Sequence, residues 1–185
     1  VGRLSEKKGV RYLIEAMPKI LERHPRTRLL IVGRRGAATP ELERAVADFG
    51  VADSVSFLGH RADVTDLMAA SDLFVFPSLF EGLGGALIEA LALGLPIVAS
   101  DIPPVREVVG DDPVADLVPP RDAAALAETV AALLDEPDRR RRYAQAGRDR
   151  FRRMFLAEHA TARLVDLLDE VAGLGPERSA QPRGR

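Results

Sequence analysis

Short, continuous apolar runs alternate along this chain with amphipathic stretches of helical period, and that alternation constrains the fold more than any other feature. The runs are "LLIVG" at 29–33, "SVSFLG" at 54–59, "DLFVFP" at 72–77, "PIVAS" at 96–100 and "VADLVP" at 114–119. Runs of this length without polar alternation predict strands buried on both faces, hence a parallel sheet with helices on either side. "VGRL" at 1–4 reads as the tail of a further strand, so the first strand of the sheet is expected to be truncated at Val1. Between the runs, "VRYLIEAMPKILERH" predicts an amphipathic helix ending before Pro25. "TPELERAVADFG" predicts one with Thr39 as N-cap, Pro40 at the first helical position and Gly50 at its end. Further helices are predicted over "RADVTDLMAAS", 85–94, "PPVREVV", 122–135, 137–152 and 155–172, while 173–185 lacks periodicity and is expected to be disordered. Right-handed crossovers make such an arrangement a single doubly wound, Rossmann-like α/β domain over 1–172.

In sheets of this type ligands bind beyond the carboxyl ends of the strands. "SLFEGLGGALIEALALGLPIVAS", residues 78–100, begins at such an end. Gly84 and Gly85 stand where the chain turns into a helix whose first N–H groups lack internal partners and favour an anion. The pattern is neither GxGxxG, since Leu87 takes the third glycine position, nor a P-loop, so tight helix–sheet packing is an equal reading of the glycines alone. Glu81 before the helix and Glu89 one turn inside it add acceptor-only groups suited to paired hydroxyls. Acids beside an anion cradle would repel phosphate unless sugars lie between them and basic groups offset the charge. Arg3 and Lys8, in "GRLSEKKG" at the first strand end, are the candidate cations; ordinary solvated loop charge is their plainer reading.

"VGRLSEKKG" together with "FPSLFEGLGGALIEALALGLPIVAS" resembles the C-terminal, donor-binding half of a family 4 glycosyltransferase, which has the two-domain GT-B fold. The likeness runs from residue 1 to about 172. Its mark is a glutamate, seven intervening residues and a second glutamate, here Glu81 and Glu89. The resemblance implies that Arg3 and Lys8 hold the diphosphate of a nucleotide sugar, with main-chain amides of Gly85, Ala86 and Leu87 sharing that load. It implies that Glu81 meets hydroxyls of the transferred sugar and Glu89 those of the ribose. The base is expected near Gly33, Arg34, Gly59, His60 and Arg61, and Gly2, Gly82, Leu83 and Gly84 complete the donor-binding set. Retaining transfer without a metal or other cofactor is implied, and the chain contains no Asp-x-Asp pair. Arg3, Lys8 and Glu81 would then serve the reaction directly, stabilising charge on the departing diphosphate and holding the sugar.

Two departures bear on the sugar pocket: Leu83 replaces the family's usual phenylalanine, and Gly85-Ala86 its common leucine-proline. The acceptor-binding N-terminal domain of that family is not found in the sequence, so these 185 residues alone are expected to be inactive. Two further readings stay open: a stand-alone nucleotide-sugar-binding module or subunit, and an epimerase or phosphorylase relative. The absence of cysteine excludes disulfides and thiolate chemistry, and a net charge of −2 argues against nucleic acid as a partner. A cytoplasmic enzyme is expected. The arginines at 139–142, 148, 150, 152 and 153 form the candidate contact for peripheral attachment to an anionic membrane at its inner face, although interspersed acids favour a solvated helix face. His24, His60 and His159 are scattered and read as surface residues. Leu164, Val165, Leu167 and Leu168 are expected to form an apolar patch that promotes self-association.

Overall fold

A computed structural model of the chain describes residues 1–156 together with 158, 161 and 168. Five parallel strands are present: β1 (Leu29–Val32), β2 (Val55–Gly59), β3 (Phe74–Phe76), β4 (Ile97–Ser100) and β5 (Ala115–Val118). Seven α-helices connect and follow them: α1 (Val10–Arg23), α2 (Thr39–Asp48), α3 (Val64–Ala69), α4 (Gly85–Leu93), α5 (Pro103–Val109), α6 (Ala123–Asp135) and α7 (Pro137–Met154). Each apolar run of the sequence has become a strand and each periodic stretch a helix. The predicted helix over 155–172 and the tail at 173–185 lie essentially outside the described residues. Of the expected apolar patch only Leu168 is described, and it is exposed.

The strands bury residues on both faces because helices cover both. Ile97 and Ala99 of β4 face the core built with α4 and α5, whereas Val98 between them faces the core built with α1 and α6. Leu13, Ile14, Met17 and Ile20 give α1 a buried stripe at helical spacing. The layered architecture is that of a doubly wound sheet.

The strands do not form one ladder, however. β1 pairs with β2, and β3, β4 and β5 pair in that order, leaving an unpaired edge of β1 and an unpaired edge of β3. Residues 1–4 form no strand by themselves, but the Gly2 amide donates to the Val32 carbonyl (2.9 Å) and the Leu4 amide to that of Arg34 (3.0 Å). That alternation extends a parallel pairing beyond the end of β1.

Two local expectations are corrected. Thr39 is the first residue of α2 and not its N-cap; Ala38 takes that position, and Thr39 Oγ1 instead accepts from the Gly36 amide (2.9 Å). The arginine-rich helix α7 is not simply solvated. Arg150 is 8% exposed, and its guanidinium donates to the carbonyls of Val108 (2.5 Å) and Glu107 (3.0 Å) and to Asp112 (2.8 Å). Those carbonyls lie at the end of α5 and have no partner within the helix, so Arg150 acts as its C-terminal cap. Arg139 is likewise half-buried and bonded to Asp116, whereas Arg141 and Arg152 form the exposed pairs with Asp138 and Asp149 that a solvated face calls for.

Candidate functional site

The carboxyl ends of the strands carry the predicted site residues on a few short loops, and backbone contacts lock those loops together. The first loop ends in a single 3-10 turn, Glu6–Lys8, that passes through Gly9 into α1. Gly9 has φ 60°, and a Cβ there would lie 1.9 Å from the Pro77 carbonyl oxygen, so the close approach of the first loop to the loop after β3 requires glycine. From the other side the Leu79 amide donates to the Lys7 carbonyl (2.7 Å). Two segments some seventy residues apart are thereby held edge to edge.

That junction brings Lys8 to Glu81. Lys8 Nζ donates to Glu81 Oε1 at 2.6 Å, and the hydroxyl of Ser78 donates to the same oxygen at 2.7 Å. Ser78 is 1% exposed and the Glu81 carboxylate nearly buried, so the acid is fixed in orientation by two donors of different kind. Both bonds use Oε1; Oε2 has no protein hydrogen bond among the described residues. The ring of Phe76 lies beneath the Lys8 ammonium, 5.7 Å from its centroid. Ser78 was not singled out in the sequence. A serine three residues before the glutamate in "PSLFEG" is the signal that was there to find.

Helix α4 opens just beyond Glu81, from Gly84 at φ 72°, with no side chain capping its N-terminus. The amides of Gly85 and Ala86 therefore remain to meet an external acceptor. The Leu87 amide, by contrast, donates to the Gly84 carbonyl (2.8 Å), and its side chain is completely buried in the core. Glu89, one turn into α4, is exposed and makes no hydrogen bond among the described residues.

The loops expected to receive the base also converge. The Gly33 amide donates to the Gly59 carbonyl (2.7 Å), and Gly33, at φ 150°, leaves room for the Gly2 carbonyl, which a Cβ would meet at 1.7 Å. Gly2, Gly33 and Gly59 thus stand side by side, on the first segment and at the ends of β1 and β2. Arg34 and His60 project into solvent. Arg61 is held by Asp63 through two bonds (2.7 and 2.5 Å), which raises the guanidinium and lowers the carboxyl relative to their usual values. Arg3 is the residue the structure does not draw in. It is exposed, its stem lies beside Gly36, and it makes no ion pair among the described residues. Gly82 and Leu83 are exposed in the loop before α4, next to Phe80, which is 66% exposed with Lys7 over its ring.

This geometry offers a fixed carboxylate, an adjacent ammonium, free amides at a helix start and a second exposed carboxylate within a few residues. It can hold an anion and hydroxyl groups side by side. Among the described residues no helix is long and apolar enough to cross a membrane.

The sequence profile of the family "Glycosyl transferases group 1" matches residues 1–150. Among curated proteins the chain is similar to a phosphatidyl-myo-inositol mannosyltransferase of Mycobacterium leprae, 38% identical over 157 residues covering 83% of this chain and 41% of that protein. It is also similar to a glycogen synthase of Mycobacterium tuberculosis, 35% identical over 189 residues covering 99% of this chain and 44% of the other. The chain therefore spans about two fifths of the length of these relatives. Among solved structures it resembles Alr3699/HepE of Anabaena in complex with UDP, with a TM-score of 0.82 and 25% identity over 91% of this chain and 48% of that one. A C-terminal domain of a glycosyl transferase group 1 protein (LpcC) from Francisella tularensis is matched over 85% of this chain and 84% of that one, with a TM-score of 0.76 and 26% identity.

Proposed function

Since the chain belongs to the glycosyl transferases group 1 family, we propose that it holds the nucleoside-diphosphate sugar from which a retaining transferase of that family moves a sugar to an acceptor. The observation that carries this reading is the contact between Lys8 and Glu81, fixed by Ser78 and set beside the open start of α4. In this reading the diphosphate lies over Lys8 and the amides of Gly85 and Ala86, with Arg3 swinging in from its free position. Glu81 Oε2 accepts from the sugar and Glu89 from the ribose. The base lies across Gly2, Gly33 and Gly59, and the UDP complex of the Anabaena protein supports a nucleotide ligand for this type of site.

Cleaving the bond between the anomeric carbon and the phosphate oxygen sends the electron pair to that oxygen and leaves one further negative charge on the departing diphosphate. Lys8, Arg3 and the α4 amides are preorganised to offset that charge as it develops. Glu81 keeps Lys8 in place and orients the sugar; it does not act as half of a glycosidase acid/base pair, because Glu89 lies on a helix and Glu81 on the loop before it. Acceptor binding and the opposite wall of the donor cleft are assigned to residues outside these 185. Without them the reactants are not held in attack geometry, and the polypeptide should bind donor without transferring it.

Calorimetric titration tests the assignment. After a screen of nucleoside diphosphates selects the base, the bare diphosphate and its sugar conjugate are titrated into wild type, Glu81→Gln and Glu89→Gln. Glu89→Gln should weaken both ligands alike, by about 1–3 kcal/mol for the loss of charged hydrogen bonds. Glu81→Gln should spare or slightly strengthen the bare diphosphate, because Lys8 loses its competing partner, and should erase only the increment due to the sugar. Equal weakening of the bare diphosphate by both variants would refute the roles given to the two acids.

A further inference from the structure

The buried residues of α7 are Tyr143, Gly147 and Arg150, which fall on one face at helical spacing, and none of them is aliphatic. The two polar ones are tied by directional bonds. The Tyr143 hydroxyl donates to Asp116 of β5 (2.8 Å), and Arg150 donates to the Val108 and Glu107 carbonyls at the end of α5. Near the start of α7, Arg140 donates to the Leu133 and Leu134 carbonyls at the end of α6. Hydrogen bonds fix both distance and angle, so α7 is held in register against β5, α5 and α6. Helix α4 lacks such ties. Glu89 is its one polar side chain and makes no hydrogen bond among the described residues. Its core residues Leu87, Ala90 and Leu91 are completely buried in apolar contact, which is non-directional.

The two helices meet at Gly147. A Cβ there would lie 3.4 Å from Leu91 Cδ2 and 3.6 and 3.7 Å from the Leu91 carbonyl oxygen and Cα, so the crossing has room for a methyl group and nothing larger. At the C-terminal end of α4 a Cβ on Gly94 would fall 2.0 Å from Arg148 Nη1, so the next residue of α7 closes over that end. We infer that Gly147 is a positioning residue for the diphosphate: with α7 pinned, it sets how closely α4 approaches, and so where the amides of Gly85 and Ala86 lie relative to Lys8. This rests on the functional reading above. From Leu91 back to Gly85 the helix runs about 9 Å at about 1.5 Å per residue, short enough to carry a displacement at the crossing to its open end. Lys8 does not follow that displacement, because its loop is anchored through the Leu79 amide and the Lys7 carbonyl. A side chain branched at Cβ puts methyls one bond further into the Leu91 backbone, and α4, having no directional ties, is the partner that yields.

The test compares Gly147→Val and Gly147→Ala with wild type and with Ile20→Val, a core truncation on α1 in the other helical layer. Backbone amide NMR of the ligand-free proteins reads the place of the α4 amides. Calorimetry with the nucleoside diphosphate selected above and with its parent nucleoside reads binding, and thermal unfolding reads stability. Gly147→Val should shift the Gly85 and Ala86 signals and spare those of Gly33 and Gly59. For a displacement of about 0.5 Å it should weaken the diphosphate about tenfold and leave the nucleoside within about twofold, since misplacement by about 1 Å can cost a hundredfold. Gly147→Ala, whose Cβ just fits, should move the same two signals by less and raise the thermal midpoint by roughly 2–4 °C. Ile20→Val should lower the midpoint with affinity unchanged. A Gly147→Val protein that behaves like Ile20→Val, less stable but with the Gly85 and Ala86 signals and the diphosphate affinity unmoved, would overturn the inference. So would equal weakening of nucleoside and diphosphate. Should valine prevent folding, unmoved Gly85 and Ala86 signals in Gly147→Ala overturn it as well. A wild type that binds no nucleoside diphosphate would refute the functional reading, and the amide signals would still decide whether Gly147 places α4.

Discussion

Replacing Arg150 with methionine should destabilise the fold by about 3 kcal/mol, although the residue is one of many arginines on α7 and lies outside the candidate site. Methionine keeps most of the buried stem, so the loss is confined to the guanidinium. Two of its bonds go to the Val108 and Glu107 carbonyls, and the third goes to Asp112, which keeps a second donor in Arg153 at 2.7 Å. Each stranded acceptor costs about 1–3 kcal/mol in desolvation, and bonds from a charged donor fall in the same range. Partial entry of water at the exposed Gly110 turn and the surviving Arg153 bond bring the sum to the middle of the span. For a chain of this size 3 kcal/mol lowers the thermal midpoint by roughly 6–12 °C. Urea unfolding followed by circular dichroism measures it directly, with an unchanged m-value expected. Arg150→Lys should recover less than half the loss, because an ammonium cannot reach both carbonyls and Asp112 from one fork. A methionine variant within about 0.5 kcal/mol of wild type would show that the buried guanidinium does not cap α5, since that is the range of an ordinary surface change.

Gly9→Ala should cost about 2–4 kcal/mol, from the left-handed backbone together with overlap against the Pro77 carbonyl, and should weaken nucleotide binding by displacing the loop that carries Lys8 from the start of α4; denaturation and calorimetry report the two effects. Acid should loosen the contact between α7 and the end of α5. The Asp112 carboxyl is held low chiefly by its hydrogen bond from Arg150 and then by Arg153, so its stabilising contribution is complete above about pH 4 and disappears as pH falls through the depressed native value. Asp112→Asn should flatten that part of a urea-midpoint-against-pH curve, and an unchanged slope would count against the linkage.

Strands and helices were legible because their signals are local: "PIVAS" and "LLIVG" have no polar face, and α1 repeats its apolar residues at helical spacing. Lys8 and Glu81 were legible through residue type and place at strand ends. Other features depend on what lies far away in sequence. Arg150 reads like its neighbours in the arginine-rich stretch; its burial is decided by the turn at Gly110, forty residues earlier, where a Cβ would fall within 2.4–2.6 Å of the guanidinium. Ser78 carries no periodicity and gains its role only when Glu81 folds back over it. The amide of Leu87 looked as available as those of Gly85 and Ala86 until the turn at Gly84 placed a carbonyl in its path. The separation of β1 from β3 could not be read from either strand, because both are apolar runs of the same kind and differ only in what stands between them.

The bond from the Leu79 amide to the Lys7 carbonyl also bears on the order of events during synthesis. Glu81 leaves a ribosome 73 positions after Lys8. At ordinary translation speeds that interval is roughly 4–15 s. During it α1, β1 and β2 can assemble among themselves, while the basic loop waits without its acid. The proposed donor site is therefore incomplete until the loop after β3 has emerged, and a nucleotide sugar bound there could not template the folding of the segment between Lys8 and Glu81.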